Sequence, residues 1–391
     1  MPLKRGHLAA LLMVPGGTAW AAVLLLAVAT FVVGTSELVI AGVLPVIADD
    51  LHVAVATAGY LVTAYALAYA VATPLVAAGT GGVNKRLMLG GCLAVFVGGT
   101  AIAAVAPDFT WLMVARVITA AASGVFEVVA TAAAASLVSP RQRGRAIALV
   151  VGGFSVALLV GVPLGTVIGN TWGWRATFGA MLAPGLLAAL GIAWWLPTVP
   201  PTQAGRLQLR SPELLAALTA TALIFCGNYI PITFIAVLLE DISGLSPDGV
   251  AGVLLLLGAG SIVGNALGGY AIDRWGMRLS GVVGGLGMAM AVAGLSAAGA
   301  QVGIAVAACV LLGTAAGIFV PAQQSRLVQL GSAAPELALA LNLAALNVGI
   351  SAGAALGAGI VERGGLSVLG YVGGAVSLLA VGLVAGTTSR T

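Results

Sequence analysis

Long apolar segments alternate with short polar breaks along the whole chain. Each segment reaches the roughly 20 residues that an α-helix needs to cross the hydrocarbon core of a bilayer. The segments lie approximately at 19–44, 57–78, 86–106, 110–137, 146–169, 177–197, 213–238, 249–272, 279–299, 302–325, 337–361 and 366–386. The pattern therefore predicts an all-α integral membrane protein with twelve transmembrane helices.

The composition agrees with this pattern. The 391-residue chain is 60% hydrophobic and 7% charged, whereas soluble domains carry about 25% charged residues. Its formal net charge of +4 is carried mostly between the predicted spans, so it does not indicate a nucleic-acid partner. The three cysteines lie inside apolar segments without metal-binding spacing, and we expect no metal and no cofactor.

The basic residues predict the orientation in the membrane. With the N-terminus in the cytoplasm, all sixteen lysines and arginines except Arg116, Arg175 and Arg363 fall on the cytoplasmic side. An excess of lysine and arginine in cytoplasmic loops is the general rule for membrane proteins. We therefore expect a multi-pass protein of the cell inner (plasma) membrane, with both termini in the cytoplasm.

A polar stretch divides the chain near its midpoint. The segment 197–212 is rich in proline, glycine and arginine and predicts a cytoplasmic linker between six-helix halves at 1–196 and 213–391. The halves also match at an offset of 192 residues, with 161–165 falling on 353–357. Chance matching is the alternative, because the chain contains 56 glycines. Two pseudo-symmetric halves are typical of transporters built from parallel repeats, which bind substrate where the halves meet.

Two charged residues lie within the fourth span. A charge near the centre of a transmembrane helix costs roughly 2.5–3.5 kcal/mol on insertion scales, so such a residue faces protein or water rather than lipid. Arg116 and Glu127 are eleven residues apart, and at about 100° per residue they project from the same side of the helix. Glu37 in the first span lies at a depth similar to that of Arg116, so these two side chains are predicted to meet.

These three charged residues suggest proton coupling. Arginine stays charged at physiological pH, whereas a carboxyl group can gain and lose a proton, and a nearby arginine favours the ionised form. We predict that Glu37 and Glu127 carry protons and that Arg116 modulates them. Two structural alternatives stay open: Glu37 as an acid that reaches the membrane surface, and Glu127 as a protonated, hydrogen-bonded structural acid.

One loop carries a resemblance to a known family. Between the eighth and ninth spans the chain reads Gly269-Tyr-Ala-Ile-Asp273-Arg274-Trp-Gly276-Met-Arg278. This pattern resembles the cytoplasmic loop signature of the major facilitator superfamily, and Gly161-Val-Pro163-Leu-Gly165 resembles the antiporter motif of its bacterial drug and sugar efflux branch. The resemblance implies gating roles for Asp273, Arg274, Arg278, Gly161, Pro163 and Gly165. In the first-half copy of the signature, Gly81 and Gly82 stand at the positions of Asp273 and Arg274, so that part of the gate looks lost.

The resemblance implies the major facilitator fold and a secondary active transporter. The implied function is export of small drug- or sugar-like molecules by proton-coupled antiport, with alternating access between the halves. An uptake symporter or facilitator of a small metabolite is the alternative within transport, and a membrane protein without transport activity is the alternative outside it. The chain contains no HExxH, GxSxG or GxxxxGK[ST] motif, so we do not expect an enzyme or an ATPase. We expect a monomer whose partners are protons, a small-molecule substrate and the lipid bilayer.

Polar and aromatic residues inside the spans are candidates for lining a substrate cavity. Such residues are costly in contact with lipid and therefore face other helices or a cavity. The candidates are Tyr65, Tyr69, Asn228, Tyr229, Gln323, Asn342 and Asn347. Tyr65 and Tyr69 share one face of the second span, because they are four residues apart. For about half of the set, hydrogen bonding between helices is the alternative role.

Overall fold

The computed structural model describes residues 16–79, 84–139, 142–197, 211–331 and 335–386, and all regular elements within these ranges are helical. The α-helices of the first half are α1 (Gly16–Leu38), α2 (Ile40–Asp50), α3 (Val55–Gly79), α4 (Lys85–Ala104), α5 (Phe109–Leu137), α6 (Arg143–Val156), α7 (Val162–Trp172) and α8 (Trp174–Trp195). Those of the second half are α9 (Pro212–Ile232), α10 (Ile235–Val237), α11 (Pro247–Ala298), α12 (Val302–Leu330), α13 (Pro335–Glu362) and α14 (Leu369–Gly386). Shorter turns are π-helical at Ala157–Gly161 and Leu238–Ile242 and 3₁₀-helical at Leu366–Val368. Most of the predicted linker, residues 198–210, lies outside the described ranges.

Eleven helical segments of the described chain are long and apolar enough, by length and composition, to cross a membrane. One of these segments, Arg145–Trp172, joins α6 and α7 through the π-helical turn between them. Another, α11, has 52 residues and would be about 78 Å long if straight, more than twice the roughly 30 Å hydrocarbon core. It bends at Gly276, whose φ of 79° and ψ of 162° are not helical. Only glycine adopts such a positive φ without strain. α11 therefore supplies two spans, and the prediction of twelve transmembrane helices is confirmed.

The ends of the spans define two faces of the molecule. We call the face with the end of α8 and the start of α9 the linker face, and the opposite one the distal face. Because each span crosses once, the bend at Gly276 and the junction of α12 with α13 also lie at the linker face. Gly173, Gly299 and the junction of α2 with α3 lie at the distal face.

The two six-helix halves repeat the same contact at the offset of 192 residues. Arg86 at the start of α4 donates a hydrogen bond to the carbonyl oxygen of Ala193 in α8. Arg278, just after the bend in α11, donates the equivalent hydrogen bond to Ala385 in α14. Donor and acceptor are both shifted by the same offset, so the pseudo-symmetry predicted from the glycine-rich segments is a property of the fold.

The fifth span packs closely against the first. A π-helical turn joins α6 to α7, and Pro163 follows at the second residue of α7. Proline lacks a backbone N–H, and local π-helical adjustment is one way in which a membrane helix accommodates the lost hydrogen bond. A methyl group on Gly161 would overlap Thr35 Oγ1, and one on Gly165 would lie 2.6 Å from a methyl carbon of Val39. The glycine pattern therefore permits a close approach of the two helices.

Gly165→Val should destabilise the folded protein by about 1–3 kcal/mol, the usual cost of overpacking. The added side chain would overlap Val39, which is fully buried where α1 meets α2. Gly152→Val is the matched control, because a methyl group on Gly152, in the same span, would have no atom of a neighbouring helix within 4 Å. Thermal melting in detergent compares the two variants, and equal melting temperatures would contradict close packing as the reason for glycine at residue 165.

Candidate functional site

Five of the predicted residues, from three helices of the first half, come together. Glu37 lies in the last turn of α1, Tyr65 and Tyr69 lie on one face of α3, and Arg116 and Glu127 lie on one face of α5. The four-residue and eleven-residue spacings bring the members of each pair to the same side of their helix, as the sequence predicts. We call these five residues the charged cluster.

Arg116 is 1% exposed, and backbone oxygens hold its guanidinium. It donates hydrogen bonds of 2.7 Å to Ser36 O and 3.2 Å to Glu37 O. The last carbonyl groups of a helix lack partners within the helix and carry a partial negative charge, so a buried guanidinium stabilises the end of α1. The guanidinium carbon also lies 4.0 Å from the ring centroid of Tyr65, in a cation–π contact. Arg116 thus connects the junction of α1 and α2 with α3 and α5.

Glu37 meets Arg116 through its backbone rather than through its carboxylate. Within the described chain the two side chains form no salt bridge, although they are close enough for their charges to interact. Glu37 Oε2 is buried and has no hydrogen-bond partner among the described residues. Glu37 also lies close enough to Glu127 for two ionised carboxylates to repel each other. The predicted meeting of Glu37 and Arg116 therefore occurs, but it leaves the carboxylate of Glu37 unpaired.

Glu127 is held by a tyrosine hydroxyl. Tyr69 Oη donates a 2.7 Å hydrogen bond to Glu127 Oε2, whereas Glu127 Oε1 is buried without a partner in the part of the chain that the structure describes. The rings of Tyr65 and Tyr69 lie 6.4 Å apart at an interplanar angle of 37°. The two tyrosines thus extend from the guanidinium of Arg116 to the carboxylate of Glu127. With one permanent positive charge and two titratable carboxyl groups, the cluster can take up a proton or a cation.

Two polar residues predicted in the second half join helices. Gln323 Nε2 in α12 donates hydrogen bonds to Ala217 O at 2.7 Å and to Thr221 Oγ1 at 3.0 Å, both in α9. The hydroxyl of Thr221 donates to Asn342 Oδ1 in α13 at 2.8 Å. Gln323 and Asn342 are both buried, and these hydrogen bonds satisfy groups that would be costly if unpaired inside a membrane protein. Their substrate role stays a prediction, while their contact between helices is a property of the fold.

Asn228, Asn347 and Tyr229 are placed differently. Asn228 Nδ2 donates to Ser377 Oγ at 3.3 Å and so joins α9 to α14, whereas Asn347 Nδ2 donates within α13. The side-chain oxygens of both asparagines are buried without a hydrogen-bond partner among the residues that the structure describes. Tyr229 of α9 lies close enough to Glu37 for electrostatic interaction. It brings an aromatic side chain of the second half to the charged cluster of the first.

The predicted gating residues of the loop signature lie at the linker face. Asp273 and Arg274 are exposed just before the bend in α11, and Arg278 makes the repeated contact with α14. Gly81 and Gly82, the changed positions of the first-half signature, lie outside the described residues. The predicted asymmetry between the two copies of the gate therefore stays a prediction.

A polar contact at the distal face goes beyond the predictions from the sequence. Arg175 donates hydrogen bonds to Ala106 O and, at 2.5 Å, to Asp50 Oδ2, and Trp174 Nε1 donates to the same carboxylate oxygen at 2.9 Å. The hydrogen bonds from Arg175 and Trp174 lower the pKa of Asp50 below its ordinary value. The contact ties the end of α2 and the segment after α4 to the start of α8. The signal available in the sequence was Gly173, which directly precedes Trp174 and Arg175. In the structure Gly173 has a φ of 85° and lies immediately before α8.

The two halves contact each other in the distal part of the molecule. Tyr60 Oη in the second turn of α3 donates a 3.4 Å hydrogen bond to Glu362 Oε1 at the end of α13. Deeper in the same pair of helices, Ser351 Oγ donates to Thr63 O at 3.1 Å. These hydrogen bonds bring the halves together on the distal side, while the bend of α11 at the linker face is exposed.

Comparisons with known proteins agree with this architecture. The family model described as Major Facilitator Superfamily matches residues 26–336. The chain is 33% identical to the uncharacterized MFS-type transporter YbcL of Bacillus subtilis (strain 168), over 91% of this chain and 93% of that protein. It is 34% identical to a chloramphenicol resistance protein of Streptomyces lividans, over 84% of this chain and 86% of that protein. A solved D-xylose-proton symporter superposes with a TM-score of 0.78 at 15% identity, over 95% of this chain and 98% of that one, which is a likeness of fold alone.

Proposed function

The chain belongs to the Major Facilitator Superfamily of membrane transporters, and we propose that it exports small drug- or sugar-like molecules in exchange for protons. The charged cluster carries this proposal, because it places two carboxyl groups with unpaired oxygens near each other, and one of them, Glu37, beside a buried arginine. Ionisable residues within membrane spans are costly, and they commonly mark substrate pathways and proton relays. Glu37 and Glu127 are the proposed proton carriers, and Arg116 is the proposed modulator.

Rotation of the Glu37 side chain is the proposed switch in proton affinity. Burial without a partner disfavours the ionised form of a carboxyl group, whereas a nearby guanidinium favours it. Arg116 is bound to the backbone oxygen of Glu37, so the carboxylate can approach or leave the guanidinium without breaking this connection. Approach to Arg116 releases the proton, and movement toward Glu127 favours its uptake, because two neighbouring carboxylates do not both ionise readily.

The substrate is proposed to bind between the halves, next to the charged cluster. Tyr65 and Tyr69 of the first half and Tyr229 of the second would supply flat apolar surfaces with polar tips. The unpaired Oδ1 of Asn347 would supply a hydrogen-bond acceptor, as in sites where a few polar groups orient a mostly apolar ligand. Alternating access would then expose this site first at one face and then at the other.

The proposed gate uses the close-packed fifth span and the loop signature. Gly161, Pro163 and Gly165 allow the fifth span to bend and slide against the first. Asp273 and Arg274 would close the linker face when the halves approach each other there. The hydrogen bonds on the distal side would have to open in the same step.

The proposed direction of transport is inferred from the name of one relative. The chloramphenicol resistance protein of Streptomyces lividans covers most of the chain, and its name supports efflux of a drug. We place the protein in the bacterial inner membrane with the linker face and both termini in the cytoplasm. We further propose that it acts as a monomer with functional halves at 1–196 and 213–391, joined by the linker 197–212.

Proteoliposomes with an imposed pH gradient test the function. Substrate should first be identified by growth of expressing cells on a panel of antibiotics, sugars and nucleosides, with chloramphenicol as the first probe. An antiporter should accumulate the radiolabelled substrate in the acidic compartment, because protons leave as substrate enters, and a protonophore should abolish the accumulation. Accumulation in the alkaline compartment would instead indicate symport, and accumulation that requires ATP would contradict proton coupling.

A further inference from the structure

A groove runs along the surface of the first half between α4 and α8. Its volume is about 880 Å³. On the α4 side it is lined by Gly90, Gly91 and Gly98, and a methyl group on any of them would meet no atom of a neighbouring helix within 4 Å. On the α8 side it is lined by Leu186 and Leu190, which are 51% and 38% exposed. The groove is therefore open and apolar, and it runs along two helices that are long and apolar enough to cross a membrane.

The groove is polar at one end. Arg86 and Asn84 lie at its linker-face end, and the rest of its lining is glycine, alanine, valine and leucine. From Arg86 to Gly98, α4 rises about 18 Å at 1.5 Å per residue, a little more than half of the roughly 30 Å hydrocarbon core. Arg86 donates one N–H to Ala193 O, and a guanidinium carries five N–H donors. Donors therefore remain for a ligand at the level of the lipid headgroups.

The second half shows that the fold does not require such a groove. The offset of 192 residues relates Arg86 to Arg278, and both make the same hydrogen bond between helices. Larger side chains replace the small residues of α4 at this offset: Val282, Val283, Leu286 and Met290 stand at the positions of Gly90, Gly91, Ala94 and Gly98. Val283, Leu286 and Met290 are 40%, 38% and 60% exposed. The equivalent surface of the second half is thus covered by side chains that the first half lacks.

We infer that this groove binds an anionic phospholipid, with an acyl chain between α4 and α8 and the phosphate at Arg86. The positive charge at the linker-face end complements an anionic headgroup. Trp194 and Trp195, 71% and 77% exposed at the same end of α8, favour the headgroup level. The long apolar part of the groove suits a flexible acyl chain, and its single cationic end suits one phosphate group.

Native mass spectrometry of the full chain in detergent tests the inference with two defined lipids, phosphatidylglycerol and phosphatidylcholine. The wild type should bind one phosphatidylglycerol more tightly than phosphatidylcholine. Gly91→Val/Gly98→Met copies the second half and should weaken phosphatidylglycerol binding at least about tenfold, because the acyl chain loses its packing contacts. Gly382→Val is the control. Gly382 of α14 also has no neighbouring atom within 4 Å of an added methyl group. It is the second-half counterpart of Leu190 at the offset of 192 residues, so this change lies outside the groove.

The headgroup is tested by a second pair of variants. Arg86→Gln should weaken phosphatidylglycerol binding about fivefold, the effect of one basic residue near an anionic headgroup, and leave phosphatidylcholine binding unchanged. Arg278→Gln removes the equivalent connection between helices in the second half, so it controls for any loss of stability and should bind lipid like the wild type. Equal binding of phosphatidylglycerol by the wild type and by Gly91→Val/Gly98→Met would overturn the inference. So would equal binding of the two lipids, or a change in the dimer fraction in place of lipid binding.

Discussion

Proteoliposomes containing Glu37→Gln should fail to accumulate substrate under an imposed pH gradient, while still exchanging substrate downhill. The amide keeps the shape of the side chain but cannot carry a proton. A difference of one pH unit corresponds to about 1.4 kcal/mol per proton, so a one-proton antiporter accumulates substrate about tenfold. The variant should instead reach about onefold. Initial rates and final accumulation of radiolabelled substrate measure both effects in the same vesicles.

Two further variants make this experiment specific. Glu127→Gln leaves an oxygen that can accept the hydrogen bond of Tyr69, and it tests whether the second carboxyl group also carries a proton. Asp248→Asn is the matched control, because Asp248 is exposed in the first turn of α11 at the distal face. Normal accumulation by Glu37→Gln would exclude Glu37 as a proton carrier. If Glu127→Gln alone lost accumulation, Glu127 would be the site.

Arg116→Ala should move the pH profile of transport to higher pH by about one unit. The guanidinium favours the ionised carboxylate beside it, and its removal lets that carboxyl group keep its proton to higher pH. Arg116→Lys should shift the profile less, since the charge remains although the planar group is lost. Transport against pH, normalised to the amount of protein inserted in liposomes, measures the shift.

The contacts of Arg116 predict a second effect that must be separated from the first. Arg116→Ala leaves the buried oxygens of Ser36 and Glu37 without their side-chain donor, at about 1–3 kcal/mol for each unsatisfied group. The yield of folded protein should therefore fall as well. A purely structural arginine would lower the yield but leave the pH profile of the remaining active protein unchanged, and that result would contradict its role as modulator.

The length of the apolar segments was sufficient to predict the spans. In a single segment of about 20 apolar residues, the backbone N–H and C=O groups can all form hydrogen bonds inside a membrane only if the segment is a helix. The predicted boundaries agree with α3, α5 and α12 to within five residues. The shape of α11 was less accessible. A loop was predicted between the eighth and ninth spans, whereas the chain turns at Gly276 alone. The charged residues Asp273, Arg274 and Arg278 mark the break in the sequence, but they do not show that the helix continues on both sides and that only Gly276 leaves it.

The site was predicted in its members but not in all of its contacts. Helical spacing brings Arg116 and Glu127 to one side of α5 whatever their partners are, and the matched depth of Glu37 and Arg116 predicted the meeting with α1. The contacts of Arg116 with Tyr65 and of Glu127 with Tyr69 in α3 were not predicted. The hydrogen bonds of Arg116 depend on where α1 ends, between Leu38 and Ile40. That end lies within a continuous apolar run without a cap signal, and the sequence predicted one span across it. Backbone acceptors therefore replaced the expected carboxylate as partners.

The paired arginine contacts also bear on the order in which the chain folds. The hydrogen bond from Arg86 to Ala193 is formed entirely within the first half, and the one from Arg278 to Ala385 entirely within the second. Since domains generally fold in turn during synthesis, the first set of six helices can complete its own contact before α9 has left the ribosome. The hydrogen bonds between the halves, such as that from Ser351 to Thr63, must wait for α13. Biogenesis can thus proceed as two similar folding reactions followed by one docking step, with the arginine of each half completing its own bundle.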